Sequence, residues 1–132
     1  CDKLKIDFDM LNNIDIHLHV PEGAVKKEGP SAGIAITTAL ISALKNKQIS
    51  SYLALTGEIT LRGNILPVGK IKEKIIGASN NNIKKVILPK ENEKDVEVLD
   101  EVIKKNIKFV YVSNYEEVLK EIKLWKKQYM IY

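Results

Sequence analysis

Cysteine is nearly absent from this sequence: there is one, at position 1, in 132 residues. No disulfide can form within the chain, and no Cys/His cluster has the spacing of a zinc site. Histidine is almost as scarce. His17 and His19 would project to the same face of a strand, which suits metal ligation, but no third ligand stands in view. Arginine is reduced to Arg62 among 21 basic residues. Phosphate readers use arginine's bidentate fork, so this shortage weighs against nucleic-acid recognition. Apolar runs of membrane length are missing, as is a signal-peptide pattern. Nor is there an internal repeat or a low-complexity linker.

What remains is ordinary globular composition, 45% apolar and 29% charged, at a length that suits one domain. The net charge is +4, yet the basic residues are scattered among acidic ones, as in Glu93-Lys94-Asp95 and Lys120-Glu121-Ile122-Lys123. That mixture reads as a solvated surface. A basic nucleic-acid-binding domain is the minority reading, and its binding would weaken steeply with salt. The abundance of Lys, Asn and Ile fits an AT-rich genome rather than a function. A chain that starts at Cys1 rather than Met is expected to be a fragment or a processed product, with further strands or a partner domain on its flank.

Ile14 to Val20 alternates strictly between apolar and polar, the pattern of a half-buried strand that turns both histidines away from the core. Pro21-Glu22-Gly23 breaks it, and a charged loop leads to Ser31. From about Pro30 to Lys45 the residues are apolar on nearly every side, which predicts a helix buried on most of its surface. Tyr52 to Thr56 predicts a short strand, and Glu58 to Leu66 alternates around Arg62-Gly63-Asn64, which predicts a hairpin. Pro67-Val68-Gly69 punctuates before a helix from about Lys70 to Asn80. Val86-Ile87-Leu88 predicts a buried strand and Phe109 to Val112 another. Between them a helix capped by Asn92 or Asp95 is expected to run to about Lys105. Ser113 with Glu116 three residues on forms a capping box for a last helix bearing Val118, Leu119, Ile122 and Trp125 on one face. Strands and helices alternate late in the chain, whereas a hairpin interrupts the middle. The fold class is therefore mixed α/β or α+β rather than purely doubly wound.

The stretch Lys27-Glu28-Gly29-Pro30-Ser31-Ala32-Gly33 sets a serine where a loop becomes a helix. Gly29 tolerates unusual backbone angles, Pro30 is preorganised for the first helical position, and Gly33 leaves no side chain to block approach. Ser31 is then in the first turn, where backbone N–H groups and the positive end of the dipole are placed to hold a developing oxyanion. Serine is also a preferred capping residue, so the stretch alone leaves a purely structural role open. A serine nucleophile needs a base. His17 and His19 lie on a segment that ends next to the serine loop, though nothing singles out an orienting carboxylate. The other solution is a lysine in an apolar setting, where the neutral amine is favoured. The helix after Gly69 offers Lys70, Lys72 and Lys74. Lys74 falls at the edge of the apolar face near Ile71 and Ala78, but Lys72 sits equally close to Ile75 and Ile76. Periodicity does not choose between them.

Three stretches carry a resemblance: Glu28-Gly29-Pro30-Ser31-Ala32-Gly33, Thr56-Gly57-Glu58-Ile59-Thr60-Leu61-Arg62-Gly63 and Leu66-Pro67-Val68-Gly69-Lys70-Ile71-Lys72-Glu73-Lys74. In this order they closely resemble the proteolytic domain of the ATP-dependent Lon proteases. The likeness begins near Asp15-Ile16-His17-Leu18-His19-Val20-Pro21-Glu22-Gly23 and runs to Leu88-Pro89, with an expected tail to about Leu119. It implies the ribosomal-protein-S5-domain-2-like fold. It also implies that residues 1–132 are one Lon-type proteolytic domain lacking its N-terminal strands and the ATPase module.

In that family the serine of Pro-Ser-Ala-Gly is the nucleophile and the second lysine of Lys-Glu-Lys its partner, which are Ser31 and Lys74 here. The implied activity is that of a serine endopeptidase degrading unfolded, damaged or regulatory proteins by acyl transfer through a Ser-Lys dyad. On this resemblance Thr56 looks like a hydrogen-bond partner that orients Lys74. Glu28, Gly29 and Pro30 support the site, with Glu28 where many relatives have aspartate. His17 and His19 become structural residues near it. No metal is implied and no cofactor within this stretch; ATP and Mg belong to the ATPase module, because these residues contain no nucleotide-binding motif. Implied partners are polypeptide substrates and further copies in a homohexamer, with weak DNA binding by the parent protein and no membrane. The Leu-Pro-Val-Gly and Ile-Lys-Glu-Lys wording resembles mitochondrial relatives slightly more than bacterial ones. The mitochondrial matrix is therefore the expected location, with the bacterial cytoplasm as the alternative. One departure stands out: Lys70 replaces the second glycine of the usual pair, stiffening the turn into the lysine-bearing helix and adding a like charge. A non-catalytic relative that kept the fold as a binding module would be expected to lose Ser31 or Lys74, and both are present.

Overall fold

The computed structural model describes residues 8–19, 29–122 and 125–126. In chain order the elements are α1 (Phe8–Leu11), a 3-10 turn (Gly29–Ala32) running into α2 (Gly33–Leu44), β1 (Lys47–Gln48), β2 (Leu53–Leu55), β3 (Glu58–Ile59), β4 (Ile65–Leu66), α3 (Ile71–Asn80), β5 (Lys85–Pro89), a second 3-10 turn (Lys90–Asn92), α4 (Glu93–Glu97), α5 (Glu101–Lys104), β6 (Lys108–Val112), α6 (Tyr115–Glu121) and β7 (Trp125–Lys126). The class is mixed α/β, as the alternation of elements predicts.

Strands β2, β5 and β6 form a parallel sheet in that spatial order, with Leu55 opposite Ile87 and Ile87 opposite Val110. Side chains alternate across its two faces. Leu53, Leu55, Ile87, Val110 and Val112 pack with Ile34 and Ile41 of α2 and with Val118 and Ile122 around α6. Ala54, Val86, Leu88, Phe109 and Tyr111 pack on the other face with Ile71, Ile75 and Ala78 of α3 and Val96 of α4. A parallel sheet covered on both faces needs apolar residues at successive positions, which is why the 86–88 stretch is legible without any alternation. The hairpin of β3 and β4 pairs Glu58 with Leu66 and Ile59 with Ile65, and Gly63 takes φ +85° in its turn, as glycine readily does. The turn is tied to the start of α6 by the Tyr115 N–H donating to the Gly63 carbonyl at 2.8 Å.

Four expectations are corrected. The segment 14–19 forms no strand, and Ile14, Ile16 and Leu18 are 38%, 56% and 53% exposed. Alternation specifies a strand only where a neighbour supplies backbone partners and an apolar cover, and the described residues supply neither; Val20 lies outside them. The single helix expected between Asn92 and Lys105 is broken at 98–100 into α4 and α5. Asn92 makes no side-chain cap. The last capping box is shifted by one residue: the Asn114 side chain accepts from the Glu117 N–H at 3.1 Å while Glu117 accepts from the Ser113 N–H at 2.8 Å. Finally α6 ends at Glu121, and the backbone of Trp125 pairs with Gln48 instead of continuing the helix.

Candidate active site

Strand β2 is an edge of the sheet, with α2 on one face and α3 on the other, and Ser31, Thr56 and Lys74 converge around it. A cavity of about 300 Å³ is lined by Ser31 from the 3-10 turn, Ala35 from α2, Ala54 and Thr56 from the β2 end, and Lys74 and Ile75 from α3, with further aliphatic side chains completing its wall. Two residues separated by 43 positions in sequence thus share one mostly apolar space.

The local chemistry explains how the serine is held. The Ser31 carbonyl accepts two hydrogen bonds, from the Gly57 N–H at 3.0 Å and from the Thr56 hydroxyl at 3.1 Å. In return the Ile34 N–H donates to the Gly57 carbonyl at 3.1 Å. Gly33 packs so closely that an added Cβ would stand 3.0 Å from the backbone nitrogen of Ile59. Only glycine lets the turn lie against β3. The Pro-Ser-Ala-Gly and Thr-Gly-Glu stretches are therefore two sides of one contact. Ser31 falls in the 3-10 turn just ahead of α2, one turn earlier than a residue inside the helix, and the N-cap position is taken by Ala32.

Thr56 is buried at 8% exposure, and its one hydroxyl proton goes to the Ser31 carbonyl rather than toward Lys74. Its lone pairs remain the only means by which it can engage a donor. Lys74 Nζ donates to the Gly69 carbonyl at 2.6 Å, so the loop that opens α3 also holds the lysine head. The three lysines that periodicity leaves unresolved are separated here: Lys74 lines the cavity with Ser31, whereas Lys70 and Lys72 are exposed and border a groove with Glu73 and Asp95. Lys70, in place of the expected glycine, stands at the N-cap of α3 in the left-handed region, φ +57° and ψ +41°.

His17 and His19 are exposed and line neither cavity beside Ser31. Gly29 and Pro30 are exposed in the 3-10 turn, and Glu28 lies outside the described residues. The sequence reading missed Glu58. Its side chain is half-buried and borders a second cavity of about 330 Å³ that also includes Ser31, together with Pro30, Pro67, Val68 and Gly69. The signal was present, since Glu58 lies two residues beyond Thr56 inside one of the three motifs. Among the described residues no group of three or more His, Cys, Asp or Glu is placed to hold a metal ion, and no helix is long and apolar enough to cross a membrane.

Residues 1–124 match the family model of the Lon protease (S16) C-terminal proteolytic domain. The chain belongs to that family. It is 52% identical over 126 residues to a Lon protease of Porphyromonas gingivalis, covering 96% of this chain and 15% of that protein. A Lon protease of Bacillus thuringiensis is 50% identical over 127 residues, covering 96% of this chain and 16% of that protein. The Lon protease of Fervidobacterium nodosum is 58% identical over 105 residues, covering 80% and 13%. This Lon-type chain therefore spans about one-sixth of the length of the curated relatives it matches, or less. These relatives are bacterial. They support the bacterial alternative and give no support to the mitochondrial location expected from motif wording.

Proposed function

We propose that this chain is the serine endopeptidase part of a longer ATP-dependent protease of the bacterial cytoplasm, cleaving polypeptides through Ser31 and Lys74. The observation that carries the reading is the shared cavity: a serine and a lysine border one space of about 300 Å³ whose remaining wall is largely aliphatic. In that setting Lys74, when neutral, takes the proton of Ser31 as its oxygen attacks the peptide carbonyl. The same amine returns the proton to the leaving nitrogen and then activates the water that releases the acyl-enzyme. A polypeptide lying over the cavity removes water from it, which disfavours the ammonium and favours the base. Backbone N–H groups of the turn around Ser31 hold the oxyanion. Thr56 acts as a positioning residue, fixing the Ser31 carbonyl with its proton and offering its lone pairs to Lys74.

No Gly-x-x-x-x-Gly-Lys-Ser/Thr segment occurs in the sequence. The nucleotide and its Mg, and the contacts of a hexameric ring, belong to the longer protein; residues 1–132 are read as part of its proteolytic domain.

The test is ATP-driven degradation of an unfolded protein by the full-length parent. Ser31→Ala and Lys74→Ala are each expected to lower cleavage by about a thousandfold or more, as removal of one member of a catalytic pair does, while ATP hydrolysis continues. Lys72→Ala is expected to cleave at close to the parent rate. Near-normal cleavage by Lys74→Ala would move the base elsewhere, with His17 and His19 as the next candidates.

A further inference from the structure

Two cavities meet at Ser31, and they differ in character. The one shared with Lys74 is walled mainly by aliphatic side chains. The other, about 330 Å³, is bordered by Pro30, Pro67, Val68, Gly69 and Glu58. Among the described residues its only charged side chain is Glu58, which is half-buried on β3. The Glu58 carboxylate takes part in none of the ion pairs or side-chain hydrogen bonds among the described residues. A carboxylate partly withdrawn from water is ordinarily paired, because desolvation without a partner is unfavourable. Lys74 Nζ donates to the Gly69 carbonyl instead. Glu58 is also not needed to hold its strand, since β3 pairs with β4 through the backbone.

Resting on the peptidase reading above, we infer that the Glu58 cavity receives a basic side chain of the polypeptide substrate within two residues of the scissile bond, and that Glu58 determines this specificity. A lysine or arginine there gives the carboxylate a charge-assisted contact that the described residues do not provide. A neutral side chain of the same length displaces water from the carboxylate and offers it no partner. The preference is therefore a difference between two substrates, set as much by the penalty on the neutral one as by the attraction of the basic one.

The experiment uses the full-length protease and quenched peptides that place lysine or norleucine, its uncharged counterpart of similar length, at each of the two positions on either side of the cleaved bond. At one position the lysine peptide is expected to show a kcat/KM about three- to fivefold above its norleucine partner, the size expected of a partly exposed ion pair. In Glu58→Gln that ratio falls to about one. In the unaltered enzyme it also declines between low and high salt, a measurement that needs no variant. Equal rates for lysine and norleucine at every position, or a ratio that persists in Glu58→Gln and is indifferent to salt, would overturn the assignment of Glu58 and leave the peptidase reading intact. Retention of cleavage by Ser31→Ala on the same peptides would instead overturn the peptidase reading, and this inference with it.

Discussion

Lys70 holds a left-handed backbone at the start of α3, φ +57°, a conformation that strains any residue with a Cβ and suits glycine. Among the described residues three other non-glycine residues share it, Asn46, Asn82 and Asn106, and asparagine tolerates the region because its short amide bonds locally. A lysine side chain lacks the short amide that eases asparagine into this region. Lys70→Gly is expected to raise stability by about 0.5–1 kcal/mol, strain relief outweighing the added entropy of the unfolded chain. Urea unfolding midpoints of the two proteins measure it, and a lower midpoint in Lys70→Gly would show that contacts of the lysine head matter more than its backbone. The departure from the glycine that the resemblance implies was visible in the sequence, but the left-handed backbone was not, because a residue name carries no φ. The same limit applied to the lysines of α3. Helical spacing put Lys72 and Lys74 equally near apolar neighbours, and only the rotation of α3 against the sheet brings Lys74 to Ser31. Ser31 itself was legible because glycine, proline and serine together mark a turn, whereas the fixing of its carbonyl by Thr56 and Gly57 depends on a contact 25 residues away.

At the scale of elements, the loop between β4 and α3 is held from a distance. The Asn92 side chain accepts from the Val68 N–H at 3.0 Å, donates to the Val68 carbonyl at 3.0 Å and donates to Asp95 at 2.7 Å. Asn92 is 4% exposed, so its amide substitutes for the backbone partner that a strand would give Val68. This loop ends at Gly69, whose carbonyl holds Lys74. Asn92→Ala is expected to cost about 1–3 kcal/mol, because the Val68 groups are left without partners, and to accelerate hydrogen exchange at the Val68 amide. Unchanged exchange at Val68 would mean that the loop is held by its other contacts. Reading Asn92 as a helix cap was reasonable locally and failed for a tertiary reason: the amide had a better partner across the fold. The strand expected at 14–20 failed similarly, since a two-residue period describes what a segment is suited to and not whether a neighbour is there. By contrast β2, β5, β6, α2 and α3 were legible because their burial depends on long apolar runs or stripes that no other packing satisfies.

For the molecule as a whole, the sheet separates two apolar layers, and the candidate site wraps its β2 edge where the layers approach each other. One layer contains a polar contact that ties its ends together: Thr38 of α2 donates to the Ile34 carbonyl at 2.6 Å, so at 2.8 Å its oxygen accepts the proton of the Tyr115 hydroxyl of α6. Burial of Tyr115 raises its ionisation above the ordinary 10.0. Tyr111, facing the other layer, is raised as well, first by burial and then by the carboxylates of Glu93 and Glu97. Above pH 10 the unfolded tyrosines lose protons that the folded ones keep, so the unfolded chain binds fewer protons and stability must fall as pH rises. The contribution of these groups is complete below about pH 10 and is lost as pH climbs through their folded-state values. Urea unfolding followed from pH 8 to 11 is expected to show the midpoint declining above about pH 10. In Tyr115→Phe the midpoint starts lower, by about 1 kcal/mol for the lost hydrogen bond, but declines less steeply, because phenylalanine has no proton to lose. Parallel slopes in the two proteins would mean that Tyr115 ionises as readily folded as unfolded, and that the junction of α2 with α6 is open to water.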